Sequence, residues 1–479
     1  MVIHMHNKYV LKVKNDYQNV SDLITKEIKI SSFKKIYLFY LESVSSSSLV
    51  NDFFLKNITL LNALKHKSLH KIINIIPAPN TKTISYEDIN FYLTNGFTIV
   101  IYNKEIIAFE TKADITRSIA EPTTEQSIFG PKDAFTENIQ INIGLLKRRI
   151  KSPNLKNKSL FIGKHTNTLV EVLYMDNIAE IDNVNYITRK LSKINIDGII
   201  DSGTINEYLN LNSKTPFPTI IKTERPDLVS SSLLEGKIAI FVDTSPFILI
   251  TPAFFTDYIN PITDNFDKYL NVNIIKIIRF ICFFITMMLP GIYISLINYN
   301  PEAIPTTLLL NFAMQRDLVP FPSLIEALIL LFAYEILRES NIRSPSPYGN
   351  AISILGALIL GEASVEAGFV SPIMIIVIAI TFISSLIFTE QELINAARYF
   401  RILFLVGASL YGLYGILLIF IFFGIHLSEI KTLEKPYLYP ISPFNKAYLF
   451  KTLLKSKITN DTKRSKMLTK KNLTKQEVK

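Results

Sequence analysis

Two carboxylates stand where a chain can least easily carry them. In "ILGALILGEASVEAGFVSP", Ile354–Pro372, Glu362 and Glu366 interrupt a run otherwise apolar enough to enter a bilayer. An ionisable group in hydrocarbon costs several kcal/mol unless it meets water or a partner, so such groups face a protein interior or a wet cavity. Two more acids, Glu326 and Glu335, lie in "SLIEALILLFAYEIL" (Ser323–Leu337), and Arg338 follows Glu335 at a helical spacing that lets the two neutralise each other. Arg279 lies early in another apolar run and is placed to snorkel to the surface.

Other chemistry is thin. His66 and His70 have a spacing that could hold a metal, but no Cys or carboxylate pattern supports them, and a solvated helix face is the simpler reading. Cys282, the single cysteine, sits in apolar surroundings and reads as inert; alone, it excludes an internal disulfide. "EGK" (Glu235–Lys237) lacks the earlier glycine of a phosphate loop, as does "GPKD" at Gly130. Nothing pairs two carboxylates for acid–base work. The expectation is a non-enzyme that uses no metal or cofactor.

The elements that must position the glutamates follow from periodicity. On a helix from Ala351, Ser353, Gly356, Ala357, Gly361, Ser364 and Gly368 share a face, a small-residue stripe that another helix can approach closely. Leu355, Leu358, Ile359, Glu362 and Glu366 occupy the opposite face. Two readings stay open. The glutamates lie at headgroup level or pair with Arg338 or Arg343; or this face lines a pore in an oligomer. In the second case Leu355, Leu358 and Ile359 gate by dewetting, and rings of Glu362 and Glu366 favour cations.

Four apolar runs approach the length needed to span about 30 Å of hydrocarbon: Ile274–Tyr299, Ala351–Val365, Val370–Phe388 and Phe400–Ile425. Pro290-Gly291 predicts a kink in the first. The N-terminal "MVIHMHNKYVLKVKNDYQNV" has no signal-peptide core, and the Lys-rich C-terminal stretch resembles cytoplasmic juxtamembrane segments. Two ends on one side require an even number of crossings, so the acidic run at 323–337 is expected as a partial or re-entrant helix. The membrane domain is placed at 272–428.

Upstream, "KKIYLFYL", "FTIVIY", "TLVEVLYM", "KIAIFVD" and "FILI" read as strands. "KDAFTENIQINIGLLKRRI" (Lys132–Ile150) reads as a helix opened by Pro131. Asp227 can cap a short helix ending near Gly236. The fold expected is an α/β cytoplasmic N-terminal region of two subdomains, 1–155 and 156–265, followed by an α-helical membrane domain. No internal repeat is visible.

The chain has 479 residues and a formal charge of +10. Lys446–Lys479 alone contributes +9, which leaves +1 for the rest. The positive charge is therefore a basic cytoplasmic tail, 446–479, and argues against a nucleic-acid-binding body.

Several long blocks carry a family resemblance. They are "FGPKDAFTENIQINIGLLKRRI", "NIDGIIDSG", "TERPDLVSSSLLEGKIAIFVDTSPFILITP", "PEAIPTTLLLNFAMQRDLVPFPSLIEALILLFAYEILRES" and "GALILGEASVEAGFVSP", in that order. Together, from about Gln126 to Asn445, the chain resembles the A subunit of GerA-type spore germination receptors. That resemblance implies a multi-pass subunit of the spore inner membrane, with N-terminal domain and C-terminal tail cytoplasmic. It implies a transporter-like B subunit and a lipoprotein C subunit as partners, homo-oligomerisation through the A subunit, contact with membrane lipid, and a nutrient-gated cation channel. "SSLIFTEQELINAARYFR" (Ser384–Arg401) is more polar than the family's usual run there. A secondary transporter is the alternative, against which stand few helices and no inverted repeat. A membrane-anchored enzyme and a passive scaffold complete the set.

Overall fold

The computed structural model describes residues 2–31, 34–56, 78, 80–102, 105–113, 121–122, 124–125, 129–210, 214–343, 359–455 and 457–476. They form two compact units. The first comprises Met1–Ser213, Thr219–Ala253 and Lys457–Lys479; the second, Lys214–Pro218 and Phe254–Ser456.

The first unit holds two antiparallel sheets. One is built from β1 (Leu23–Ser31), β2 (Lys34–Leu41), β3 (Thr81–Thr83), β4 (Phe97–Tyr102) and β5 (Glu105–Glu110), in the order β1-β2-β4-β5-β3. The apolar strands alternate between two buried faces, as the period of two requires. Phe39, Ile99, Ile101 and Ala108 pack with Val10 and Val13 of α1 (Val2–Asp16) and with Ile89 and Leu93 of α2 (Ile89–Thr94). Leu38, Val100, Ile107 and Phe109 pack with Val50 and Phe54 on the other face.

After α3 (Ile139–Arg149) comes the second sheet: β6 (Leu155–Ile162), β7 (Thr168–Met175), β8 (Ile221–Thr223), β9 (Ile238–Val242) and β10 (Ile248–Thr251). Helices α4 (Ile181–Ser192), α5 (Ser202–Asn210) and α6 (Pro226–Glu235) connect them. The order is β6-β7-β9-β10-β8, and every pairing is antiparallel. The second sheet thus repeats the first: a hairpin, a three-residue edge strand, a helix, then two antiparallel strands. The unit is a structural duplication, although the sequence shows no repeat.

Three local expectations change. The helix expected over 132–150 is only Ile139–Arg149, because the Asn138 side chain caps it by accepting from the Gln140 and Ile141 amides at 2.9 and 3.2 Å. It packs on α6, and Phe135 meets Phe241 with ring centroids 5.4 Å apart, so a division near 155 separates this helix from the sheet it serves. In α6, Arg225 rather than Asp227 holds the N-cap position; Pro226 follows, and Gly236 at φ +100° closes the helix. Amides of Gly236 and Lys237 bond to Leu233 and Ser232 carbonyls, the Schellman arrangement that only a left-handed residue allows comfortably.

Buried charge ties α3 and both sheets together. Lys147 donates to Asp22, and Ser43 Oγ donates to the same carboxylate at 2.5 Å. Burial pushes the Asp22 carboxyl up, but the Lys147 charge and these hydrogen bonds outweigh it and hold the group below its usual range. Glu171 on β7 accepts from Ser159, Asn157 and Ser21, bridging the sheets. Here burial wins and the carboxyl is raised.

The basic tail is not a solvated extension over its described part. Within the first unit, Thr469 is buried and its hydroxyl donates to the Ile178 carbonyl at 2.5 Å. Arg464 Nε donates to the Leu234 carbonyl at 2.7 Å, and Lys475 pairs with Glu235 and Asp461 at 2.5 and 2.8 Å. Its charges are used to cover one end of α6.

The second unit is helical: α7 (Phe255–Ile259), α8 (Tyr269–Tyr299), α9 (Thr306–Arg316), α10 (Ser323–Arg343), α11 (Pro372–Ser385), α12 (Gln391–Glu429) and α13 (Lys446–Leu453). Helix α8 is long and apolar enough to cross a membrane by length and composition, and so is α12 when 391–429 is counted as one helix. Residues 323–343 form one helix of 21 residues, longer than the partial helix expected over 323–337. The run Phe400–Ile425, expected as one span, doubles back. Gly412 has φ +60° and ψ −140°, which breaks α12 into arms 391–411 and 413–429. Phe400 and Phe423 have ring centroids 5.0 Å apart, whereas a straight helix would separate them by about 34 Å. A β-carbon on Gly415 would strike the Gly407 carbonyl, so the arms cross at glycines. The polar run 384–401 divides into the end of α11, a short turn and the start of α12.

His66, His70, Ser353, Leu355, Gly356, Ala357 and Leu358 lie outside the described residues.

Candidate functional site: ionisable groups in the helical unit

Four helices bring the acids of the apolar runs into place. The end of α8 meets the start of α10 through Asn298, which accepts from Ser323 Oγ at 3.1 Å and from Arg316 at 3.0 Å. Tyr299 Oη donates to the Ser409 carbonyl at 2.6 Å, beside the Gly412 turn. Phe321 stacks near Phe369. These contacts define one end of the unit. Towards the other, Phe283 meets Phe388 and Phe423, and Arg398 meets Glu335 at 3.0 Å. Thus α8 and arm 391–411 run one way, and α10, α11 and arm 413–429 the other.

Glu326 is buried, and its Oε1 accepts from both the amide and the hydroxyl of Ser371, each at 2.6 Å. Ser371 is the N-cap of α11, so a carboxylate from α10 completes a helix terminus whose amides lack partners of their own. The chain neighbour of Glu326, Ala327, belongs to an apolar cluster with Ile294, Leu330, Val370, Met374 and Leu405.

Glu335 is shared by Arg338 at 3.4 Å and Arg398 at 3.0 Å. Arg343 holds Glu339 at 2.6 Å. An open groove of about 520 Å³ is lined by Glu335, Ile336, Glu339, Ser340, Arg343 and Arg398. Arg338 and Arg343, candidates for pairing with Glu362 and Glu366, therefore serve acids of their own helix. Arg279 forms two 2.8 Å bonds with Asp264 and also donates to the Ile259 carbonyl, an anchored rather than a snorkelling arginine.

Glu362 and Glu366 are both exposed on the single chain. Their backbone is not one regular α-helix. Ile359–Ala363 is a π-turn followed by Ser364–Glu366, and the segment ends at Gly368, which has φ +68°. Amides of Gly368 and Phe369 bond to Val365 and Ser364, again a Schellman end. Gly368 thus has a turning role beyond the packing role expected of it. A β-carbon at Gly361 would meet nothing within 4 Å, so this part of the small-residue stripe is open.

Sequence reasoning did not single out Ser371, Arg398 or Arg401. Arg401 is buried and its Nε donates to the Thr286 carbonyl at 2.7 Å. A lone arginine inside "FRILFLVGAS" was the available signal. Among the described residues, no cluster of three His, Cys, Asp or Glu could hold a metal ion.

One unit is α/β with antiparallel sheets, and the other is made of apolar helices carrying buried ionisable groups. The family model described as Bacillus/Clostridium GerA spore germination protein matches residues 11–467, and this chain belongs to that family. Spore germination protein KA of Bacillus subtilis (strain 168) is 34% identical over 445 residues, covering 91% of this chain and 82% of that protein. Spore germination protein GerLA of Bacillus cereus is 31% identical over 439 residues, covering 90% and 89%. A crystal structure of the N-terminal domain of the A subunit of the Bacillus megaterium spore germinant receptor GerK3 is 31% identical. It covers 51% of this chain and 94% of that one, with a TM-score of 0.40.

Proposed function

We propose that this chain is the A subunit of a germinant receptor, acting in a membrane beside a transporter-like B subunit and a lipoprotein C subunit. Copies of it enclose a cation-conducting pore lined by Leu355, Leu358, Ile359, Glu362 and Glu366. One observation carries the pore: both glutamates are exposed on the single chain, in a unit whose surface is otherwise rich in exposed Ile, Leu and Phe. Facing lipid, those carboxylates would cost several kcal/mol, so water or another subunit must meet them. The open side of Gly361 is consistent with a neighbouring copy.

The directions of α8, α10, α11 and both arms of α12 support five passes, and the apolar run Ala351–Val365, expected as a span from the sequence, brings the count to six. The count is even, as ends on one side require. Lysine and arginine favour one end, with Lys268, Lys276, Arg338, Arg343, Arg398 and Lys431 there against Arg316 at the other. By the positive-inside rule the richer end is cytoplasmic.

The test is cation flux from liposomes holding the purified oligomer. Replacing Glu362→Gln and Glu366→Gln together is expected to lower cation over anion selectivity several-fold. Unchanged permeability and selectivity would remove both residues from the pore, and a wild-type assembly without flux would leave the scaffold reading.

A further inference from the structure

The pore reading leaves the last helix of the helical unit, α13, without a role. One side of α13 is turned to the protein. Tyr448 lies with its ring centroid 5.9 Å from that of Tyr439, and Thr452, one turn on, lines a small cavity with Phe255, Ile259 and Phe280. The opposite side carries Lys446, Phe450 and Leu453, at the i, i+4 and i+7 positions, and all three are exposed. Phe444, just before the helix, is 71% exposed and Phe450 56%. A helix on a water-facing surface would turn these rings inward.

The C-terminal end of α13 is fixed to the first turns of α8. Asn273 Oδ1 accepts from the Lys455 amide at 2.6 Å, and Lys276 Nζ donates to the Thr452 carbonyl at 3.1 Å. Lys455 Nζ donates to the Asp264 and Asp267 carbonyls at 2.7 and 2.8 Å. At this level the outer surface of α8 becomes apolar, for Leu270, Ile274, Ile277, Ile278 and Ile281 are all exposed. Ile274 and Ile277 directly follow Asn273 and Lys276, so the attachment of α13 borders that apolar face. Charge is biased on the same segments. Residues 262–281 and 446–455 hold Lys268, Lys276, Arg279, Lys446, Lys451 and Lys455 against Asp264 and Asp267, six minus two, or +4. Arg279 is bonded to Asp264, whereas Lys276 and Lys455 donate to backbone carbonyls, which leave their charge in place.

We propose that α13 lies in the headgroup layer of the leaflet from which α8 enters the membrane, with Phe444, Phe450 and Leu453 at the acyl boundary and Lys446 and Lys451 on anionic lipid phosphates. The inference rests on the membrane reading above and not on the course of the pore. A face of aromatic rings and lysines suits a lipid interface, where the rings sit at headgroup level and each lysine stem covers apolar surface while its ammonium stays wet. Each lysine near an anionic surface favours binding about fivefold. A second copy meeting this face symmetrically would set +4 against +4, a repulsive pairing.

The test uses the full chain with Cys282→Ser and a fluorescent label at Phe450→Cys, reconstituted in liposomes of phosphatidylcholine and phosphatidylglycerol. We expect the label to be quenched more strongly by a nitroxide near the lipid headgroup than by one near the chain end, and only weakly by iodide in the water. At equal mole fraction, nitroxide carried on phosphatidylglycerol should quench more than nitroxide carried on phosphatidylcholine. Lys446→Gln with Lys451→Gln should abolish that difference, since each removes a roughly fivefold preference. A label at Phe444→Cys repeats the measurement if Phe450→Cys does not fold. Iodide quenching as free as at the exposed Thr459→Cys would overturn the proposal. So would a label shielded from lipid and iodide alike, as a protein partner or a second copy would shield it. Equal quenching from the two lipids would overturn the assignment to anionic headgroups. A label at Ile281→Cys on α8 separates this failure from that of the membrane reading: quenched by lipid while the α13 label is not, it leaves α8 in the bilayer, and unquenched as well, it removes both.

Discussion

Arg225 heads the fully buried side chains by size among the described residues. In "TERPD" its guanidinium binds Asp227 at 3.1 and 2.6 Å and donates to the Glu125 carbonyl at 3.1 Å. The Glu125 carboxylate accepts from Thr223 Oγ1 at 3.0 Å. Burial raises the Glu125 carboxyl to about 7, the Thr223 bond and Arg225 charge oppose the shift, and Glu224 and Asp227 add to it. Its folded value lies above its unfolded one, so its contribution is fully present below about pH 4.5 and is lost as pH rises towards 7. That loss is about 3 kcal/mol. Glu125→Gln should therefore flatten the stability of the α/β unit across this window; denaturation followed by circular dichroism at several pH values checks it, and parallel curves for the two proteins would disprove it. Which acids and arginines belong inside was partly legible: Glu326 and the Glu335–Arg338 pair stood out because charge in an apolar run is conspicuous. That Arg225 is interior was not, since "TERPD" looks the same on a surface turn.

At the scale of elements, strands were the most legible. "FTIVIY" and "TLVEVLYM" coincide with β4 and β7, because β-branched and aromatic residues in short runs admit little else. Helix limits were less so, since Asn138 outcompetes Pro131 by a capping bond that spacing alone does not reveal. The Gly412 hairpin was hidden for another reason. Hydropathy runs unbroken through "GASLYGLYG", and a positive φ leaves no trace in composition. A chain lacking Cys282 and carrying Phe400→Cys with Phe423→Cys should form an intramolecular disulfide in the membrane. Gly412→Ala, whose β-carbon would approach Tyr299 Cγ at 2.9 Å and strain the left-handed turn, should lower its yield. A continuous span would give no such cross-link at all.

At the scale of the molecule, two findings needed contacts distant in sequence. The repeated strand order of the α/β unit survives without a repeated sequence, because a buried strand asks for apolar character rather than for particular residues. The docking of the tail was hidden because its partners lie more than two hundred residues earlier. Thr469→Val should leave the Ile178 carbonyl unsatisfied and cost about 1–3 kcal/mol locally. Hydrogen exchange around 176–181 and 232–237 would rise accordingly, and no rise would mean the tail is loosely held.

That docking also sets a clock. Ile178 and its partner Thr469 are 291 residues apart. At about 5–20 residues per second, a ribosome makes the carbonyl roughly 15–60 s before the hydroxyl that satisfies it. Throughout that interval the helices of the second unit are being synthesised while the C-terminal end of α6 in the first lacks its cover. Completion of the α/β unit therefore waits on residues made after the helices, and any agent that shields nascent chains has a defined window in which to act on it.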